Sequence, residues 1–151
     1  MKFRTRSLLI VLFSSAVFLA CSVCGAADIE SLADQFQKAT DIQRAEIEEL
    51  YRDTGMLARA TVANVELYNF FDEQNDIQTR YYRITTITQK TRHNTPYQVV
   101  LLYSDVDKIK HLKRGENIEV YGRLWRVTDD GLWVSIWLYG EESSPEIKQT
   151  F

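Results

Sequence analysis

Between Leu112 and Gly140 the chain carries Leu-Lys-Arg-Gly-Glu-Asn-Ile-Glu-Val-Tyr-Gly-Arg-Leu-Trp, then Asp129-Asp130-Gly131, then Leu-Trp-Val-Ser-Ile-Trp-Leu-Tyr-Gly. Two runs that alternate apolar and polar residues flank an acidic turn ending in glycine, the signature of a β-hairpin. A three-residue loop with Gly131 in the left-handed conformation sets Thr128 opposite Leu132. Leu124 then faces Ile136 and Gly122 faces Leu138 on one side. On the other, Arg123 faces Trp137, Trp125 faces Ser135 and Tyr121 faces Tyr139. The first side reads as core. A two-residue loop would set Leu124 against Ser135 and mix the faces, so it is rejected. A ribbon with one apolar face and a tryptophan-rich outer face implies a small closed β-barrel.

The first 27 residues have the layout of a bacterial secretory signal: Lys2, Arg4 and Arg6, an apolar run from Leu8 to Ala20, then small residues ending Gly25-Ala26-Ala27. The apolar run is short for a membrane span, and cleavage is expected before Asp28. Both cysteines, Cys21 and Cys24, lie in this segment, so the exported chain would hold together by its core without disulfides. Phe18-Leu19-Ala20-Cys21 offers an alternative, in which a lipidated Cys21 anchors an outer-membrane lipoprotein. The expected location is periplasmic or secreted, with the membrane reached only through the signal segment or that anchor.

Charge is divided along the chain. Residues 28–79 carry a net −8, residues 80–126 a net +6 and residues 127–151 a net −4. The overall acidity argues against general nucleic-acid binding, which rests on neutralising phosphates. The basic middle suits an anionic ligand.

Residues 28–54 read as a helical segment. Ile29, Leu32, Phe36 and Ala39 make one apolar stripe. Thr40-Asp41-Ile42-Gln43 is a capping box that starts a new helix bearing Ile42, Ile47, Leu50 and Tyr51, with Gly55 as its left-handed stop. Residues 55–140 read as the β domain. Met56, Ala58, Ala60 and Val62 alternate, then Val65 and Leu67 continue one residue out of phase, which predicts a β-bulge near Ala63-Asn64. A polar loop over Tyr68–Thr79, a strand over Arg80–Thr91 and a turn at Arg92–Pro96 follow. Tyr97–Ser104 is apolar on both faces, so both should be covered. Asp105–Leu112 reads as a helical turn or two with Val106, Ile109 and Leu112 inward. Residues 141–151 form an acidic tail expected to fray.

This order resembles an OB-fold: mainly β with N-terminal helices, a five-stranded OB-like barrel, and a short helix between strands 3 and 4. Asp105-x-x-x-Ile109-x-x-Leu112-Lys-Arg-Gly-Glu-Asn-Ile-Glu-Val-Tyr-Gly looks like that fold's junction between its third and fourth strands. Thr40-Asp-Ile-Gln-Arg-Ala-Glu-Ile-Glu-Glu-Leu-Tyr, leading into the first strand, looks like small exported bacterial proteins similar to the tRNA-anticodon-binding-like OB-fold group. The resemblance spans about residues 40–140 and departs from that group in the acidic Tyr68–Thr79 loop. It implies no catalytic motif, and the group's name does not carry tRNA binding to this chain.

Two constellations could bind a ligand. Tyr121, Trp125, Trp137 and Tyr139 with Arg123 form an aromatic face that could stack bases or sugars or dock a protein. The competing expectation is that the two N-terminal helices cover this face, because their apolar stripes must be buried somewhere. Arg80 and Arg83 head a wider basic set (Lys90, Arg92, Lys108, Lys110, Lys113, Arg114, Arg123 and Arg126) that could line a groove, although such charges often only solvate strand edges. Asp72–Asp76 lacks the glycine and distal glutamate of a calcium loop. His93 and His111 have no partners at zinc-ligand spacing. No nucleophile elbow or phosphate loop is present, so no catalytic residue, metal or cofactor is expected. The reading is a non-catalytic envelope module for a protein or a small anionic or glycan ligand, using Arg80, Arg83, Tyr121, Arg123, Trp125 and Trp137. The alternative is a single-stranded nucleic-acid binder.

Overall fold

Helix α1 spans Ile29–Lys38. Its first free amides are capped by Asp28, whose Oδ1 accepts from Glu30 N at 3.1 Å. Ile29, Leu32, Ala33 and Phe36 recur at helical spacing and are all buried. The chain turns extended at Ala39, and α2, Asp41–Tyr51, begins behind the predicted capping box, with Gln43 Oε1 accepting from Thr40 N at 2.9 Å. The left-handed residue after α2 is Asp53 (φ 59°), not Gly55. Gly55 instead lets the Tyr121 ring lie over the backbone: a Cβ there would sit 1.7 Å from the Tyr121 hydroxyl oxygen and displace the ring.

The computed structural model describes residues 28–72, 77–140 and 148–149, with side chains over 28–69 and 80–140. The expected signal segment, Cys21, most of the Asp72–Asp76 run and nearly all of the tail lie outside the described residues. The strands are β1 (Gly55–Asp72), β2 (Ile77–Thr86), β3 (Gln89–Lys90), β4 (Pro96–Tyr103), β5 (Asn117–Asp129), β6 (Val134–Gly140) and β7 (Lys148–Gln149). The long strands pair in the order β1-β2-β4-β6-β5, and β5 returns to β1, so the hydrogen bonds close into a ring. The β4–β6 pair is parallel and the rest are antiparallel. The molecule is therefore mostly β, with two helices added at its N-terminal side.

The inside of the ring is one apolar cluster including Met56, Ala58, Val62, Ile84, Val99, Leu101, Ile118, Val120, Leu124, Ile136 and Leu138. The α1 stripe belongs to the same cluster. The predicted bulge is present: β1 slips register against β2 between Val62 and Asn64. Strand β4 is buried on both faces, as its unbroken apolar run predicts, with Val99 and Leu101 inside and Val100 and Leu102 outside. After β4, Val106–Lys108 makes one 3-10 turn. Ile109 and Leu112 are buried there, but Val106 is exposed, because a single turn presents fewer residues inward than the expected helix.

Three further expectations are corrected. First, Tyr68–Thr79 is not a loop: β1 runs to Asp72 and β2 starts at Ile77, paired from Asp72↔Ile77 onward. This arm extends beyond the part of the ring where β4 joins β2, so its polar composition does not preclude strands. Second, β2 stops at Thr86 rather than continuing to Thr91. The Thr86 hydroxyl donates to Val99 O at 2.9 Å and accepts from Val99 N at 3.2 Å, so a side chain replaces the ladder at that point.

Third, the β5–β6 register differs. Asp129 pairs with Val134 and Thr128 with Ser135, which lengthens the loop to Asp130–Trp133. A bulge between Leu124 and Arg126 shifts the pairing again, so Leu124 faces Leu138, Gly122 faces Gly140 and Arg123 faces Tyr139. Gly131 does take the left-handed conformation (φ 82°). The loop is held by Asp129 Oδ1 accepting from Gly131 N at 2.9 Å and by Asp130 bonded to the Ser135 hydroxyl. Because the expected Leu124 and Gly122 pairings were displaced by two residues, those core assignments survive.

Candidate functional site

The outer side of β4, β5 and β6 carries a second apolar cluster, separate from the ring interior. Val100, Leu102 and Trp137 form its buried floor, with Tyr68, Tyr81, Trp125 and Tyr139 packed around them. Tyr68 and Tyr81 are opposed across the β1–β2 ladder, which brings both to the edge of this face. The bulge at Trp125 is decisive. Alternation alone would turn Arg126 inward, but the extra residue leaves both Trp125 and Arg126 outside, opposite Trp137.

The rings interlock at angles rather than lying flat. Trp125 meets Trp137 edge-on at 82° with centroids 5.8 Å apart, and Tyr139 at 39° and 5.5 Å. The Arg126 guanidinium carbon lies 4.4 Å from the centroids of both tryptophans. Arg83 lies 4.9 Å from the Tyr68 ring and 5.9 Å from that of Trp137. Such cation–π contacts are worth about 0.5–2 kcal/mol each, more when shielded from water.

The arginines differ in charge balance. Arg83 is ion-paired with Glu66, its Nε donating to Oε1 at 2.8 Å. Arg126 makes no ion pair among the described residues. Its Nε and the Trp137 Nε1 are buried donors with no acceptor among the described residues. A buried donor left unpaired costs about 1–3 kcal/mol. Burial, reinforced by Tyr81 and opposed by Arg126, pushes the Tyr139 hydroxyl up to about 12, so it is neutral at physiological pH.

Of the six residues expected from sequence, the structure gathers Arg83, Trp125 and Trp137. Arg123 stands at the rim, opposite Tyr139 in the ladder. Tyr121 is displaced along β5, opposite Leu57 and against Gly55. Arg80 does not join: two-residue alternation puts it on the face of Tyr82 and Ile84, opposite to that of Arg83. Sequence reasoning missed Tyr68, Tyr81 and Arg126 as members of the face. Tyr68 was hidden in the supposed loop, Tyr81 awaited its cross-strand partner, and Arg126 depended on the bulge.

The helices do not cover this face, which corrects the expectation that they would. The stripe of α1 goes to the ring interior, and Ile47 and Tyr51 of α2 pack against the same cluster. Arg44 fixes α2 in place: its Nε donates to Phe36 O at 3.1 Å and its guanidinium pairs with Asp129 at 2.8 Å.

A polar cluster fastens α1 to the turn before β4. Asp34 Oδ1 accepts from the Thr91 hydroxyl at 2.7 Å, and Oδ2 accepts from His93 Nδ1 at 2.7 Å. The Thr91 bond, further hydroxyl donation from Thr95 and the His93 contact hold the Asp34 carboxyl down at about 2, against the smaller opposing effect of burial. Asp34 and His93 line a cleft of about 350 Å³ with Glu30, Ser31 and Arg92. No group of three or more histidine, cysteine or acidic side chains among the described residues could hold a metal ion. No protein-family model matches the chain, and no curated protein is significantly similar to it.

Proposed function

We propose that this chain is an exported, non-catalytic binding module built on an OB-like barrel, and that its ligand, a protein or a small anionic or glycan molecule, binds the outer face around Trp125, Arg126 and Trp137. The barrel reading is supported by the strand circuit β1-β2-β4-β6-β5-β1, in which β6 inserts between β4 and β5, an order compatible with a five-stranded Greek-key barrel. Export is supported by the signal-like layout of the first 27 residues.

The observation that carries the binding reading is where the helices go. Both direct apolar residues to the ring interior, so the aromatic–arginine cluster remains a separate feature on the outside of the sheet. Tryptophan, tyrosine and arginine together are the residues most often found at the energetic centre of binding surfaces. The test is an NMR titration that follows the three tryptophan indole N–H signals against neutral and acidic peptides, neutral and acidic oligosaccharides, and single-stranded oligonucleotides. At least one probe class is expected to move the Trp125 and Trp137 signals while the backbone signals of α1 stay in place. A panel in which no probe moves these indoles overturns the assignment of this face.

A further inference from the structure

Resting on the ligand face proposed above, we infer that its partner is an acidic polypeptide segment, one carboxylate of which pairs with the guanidinium of Arg126. The charge balance on the face leads to this. Glu66 is already committed to Arg83. Arg126, half-exposed and 4.4 Å from the centroids of two tryptophans, keeps an uncompensated charge among the described residues. The Trp137 indole N–H and the Arg126 Nε–H are buried beneath the face without an acceptor among the described residues. The face therefore offers positive charge, and a carboxylate supplies the opposite charge in the planar geometry a guanidinium fork matches.

The same observations choose between partner classes. A sugar ring stacks on an aromatic ring that lies open and flat. Here Trp125 is met by Arg126, by the edge of Trp137 and by the tilted ring of Tyr139. A phosphate dianion calls for two available cations, and Arg83 is already neutralised. A single carboxylate flanked by apolar side chains fits one guanidinium that has no ion pair among the described residues and lies over Trp125 and Trp137. That combination is a glutamate or aspartate within an otherwise apolar stretch of polypeptide.

The experiment uses the full mature chain and two peptides, one alternating glutamate with leucine and one with glutamine in place of each glutamate. The glutamate peptide is expected to shift the Trp125 and Trp137 indole signals, with an affinity that falls as salt is raised. Arg126→Gln is expected to weaken it by about tenfold or more, the equivalent of one charged hydrogen bond. Arg126→Lys should fall between, because the charge remains but the fork is lost. Arg52→Gln, a charge change of the same size at the end of α2 where Arg52 pairs with Glu48 and Glu49, should bind as the parent does, and Arg126→Lys keeps the test informative if Arg126→Gln fails to fold. Equal binding of the glutamine peptide would overturn the carboxylate while leaving the face as a docking site. A polyuronate that shifts the indoles when the glutamate peptide does not would replace the peptide with a glycan. Concentration-dependent indole shifts without any probe would point to a second copy of the chain and overturn the inference. Silence of both indoles to every probe would remove the face itself.

Discussion

Asp34 shows how much one side chain can organise in this protein. Its two carboxylate oxygens hold Thr91 and His93, and Thr91 in turn accepts from the amides of His93 and Thr95. The whole turn before β4 is thus built around a helix carboxylate. The folded carboxyl titrates at about 2, below its ordinary 3.8. A depressed acid stabilises the fold above its unfolded value and loses that contribution as pH falls through the folded value. Stability should therefore decline between about pH 4 and pH 2, and Asp34→Asn should flatten that part of the curve while lowering stability at neutral pH. Urea melts across that range, parent against variant, check it. An Asp34→Asn protein whose acid limb is unchanged would place the titration elsewhere.

At the scale of elements, the two helices look alike in sequence and behave differently in the fold. The α1 stripe is buried along its length, with Leu32 at 0% exposure. The α2 stripe is not: Ile42 is 76% exposed and Leu50 75%. Leu32→Ala should cost about 2–5 kcal/mol through lost burial and a residual cavity. Leu50→Ala should change stability by no more than about 0.5 kcal/mol. Chemical denaturation of the two variants distinguishes a helix docked along its whole stripe from one held by Ile47, Tyr51 and Arg44. The capping box, both helices and the Val62–Asn64 bulge were legible because each depends on residues close together in the chain. The course of β1 beyond Tyr68 was not, because a polar strand on a two-stranded arm lacks the apolar alternation by which strands are recognised.

For the whole molecule, the ring of strands separates two apolar regions. One is the interior, stoppered by α1. The other is the outer face of β4–β6, roofed by its own aromatics and two arginines. The unbroken apolar run of β4 serves both, since its alternate residues go to opposite clusters. The export proposal makes a separate prediction at this scale. Mass spectrometry of the chain recovered from a bacterial envelope should find an N-terminus at Asp28. A diacylglyceryl Cys21 would instead make it a membrane-tethered lipoprotein and place the outer face near a bilayer.

Local spacing and alternation carry the β-rich class, the helix starts, the first bulge, the double burial of β4 and the grouping of Trp125 with Trp137, so these are legible in the order of the amino acids. The β5–β6 register, the outward turn of Arg126, the exclusion of Arg80 and the destination of the helices emerge only in the assembled fold. Each depends on which distant strand or cluster supplies a partner. A bulge of one residue, invisible in composition, turns a side chain from core to surface. An apolar stripe announces that it needs burial but not against what.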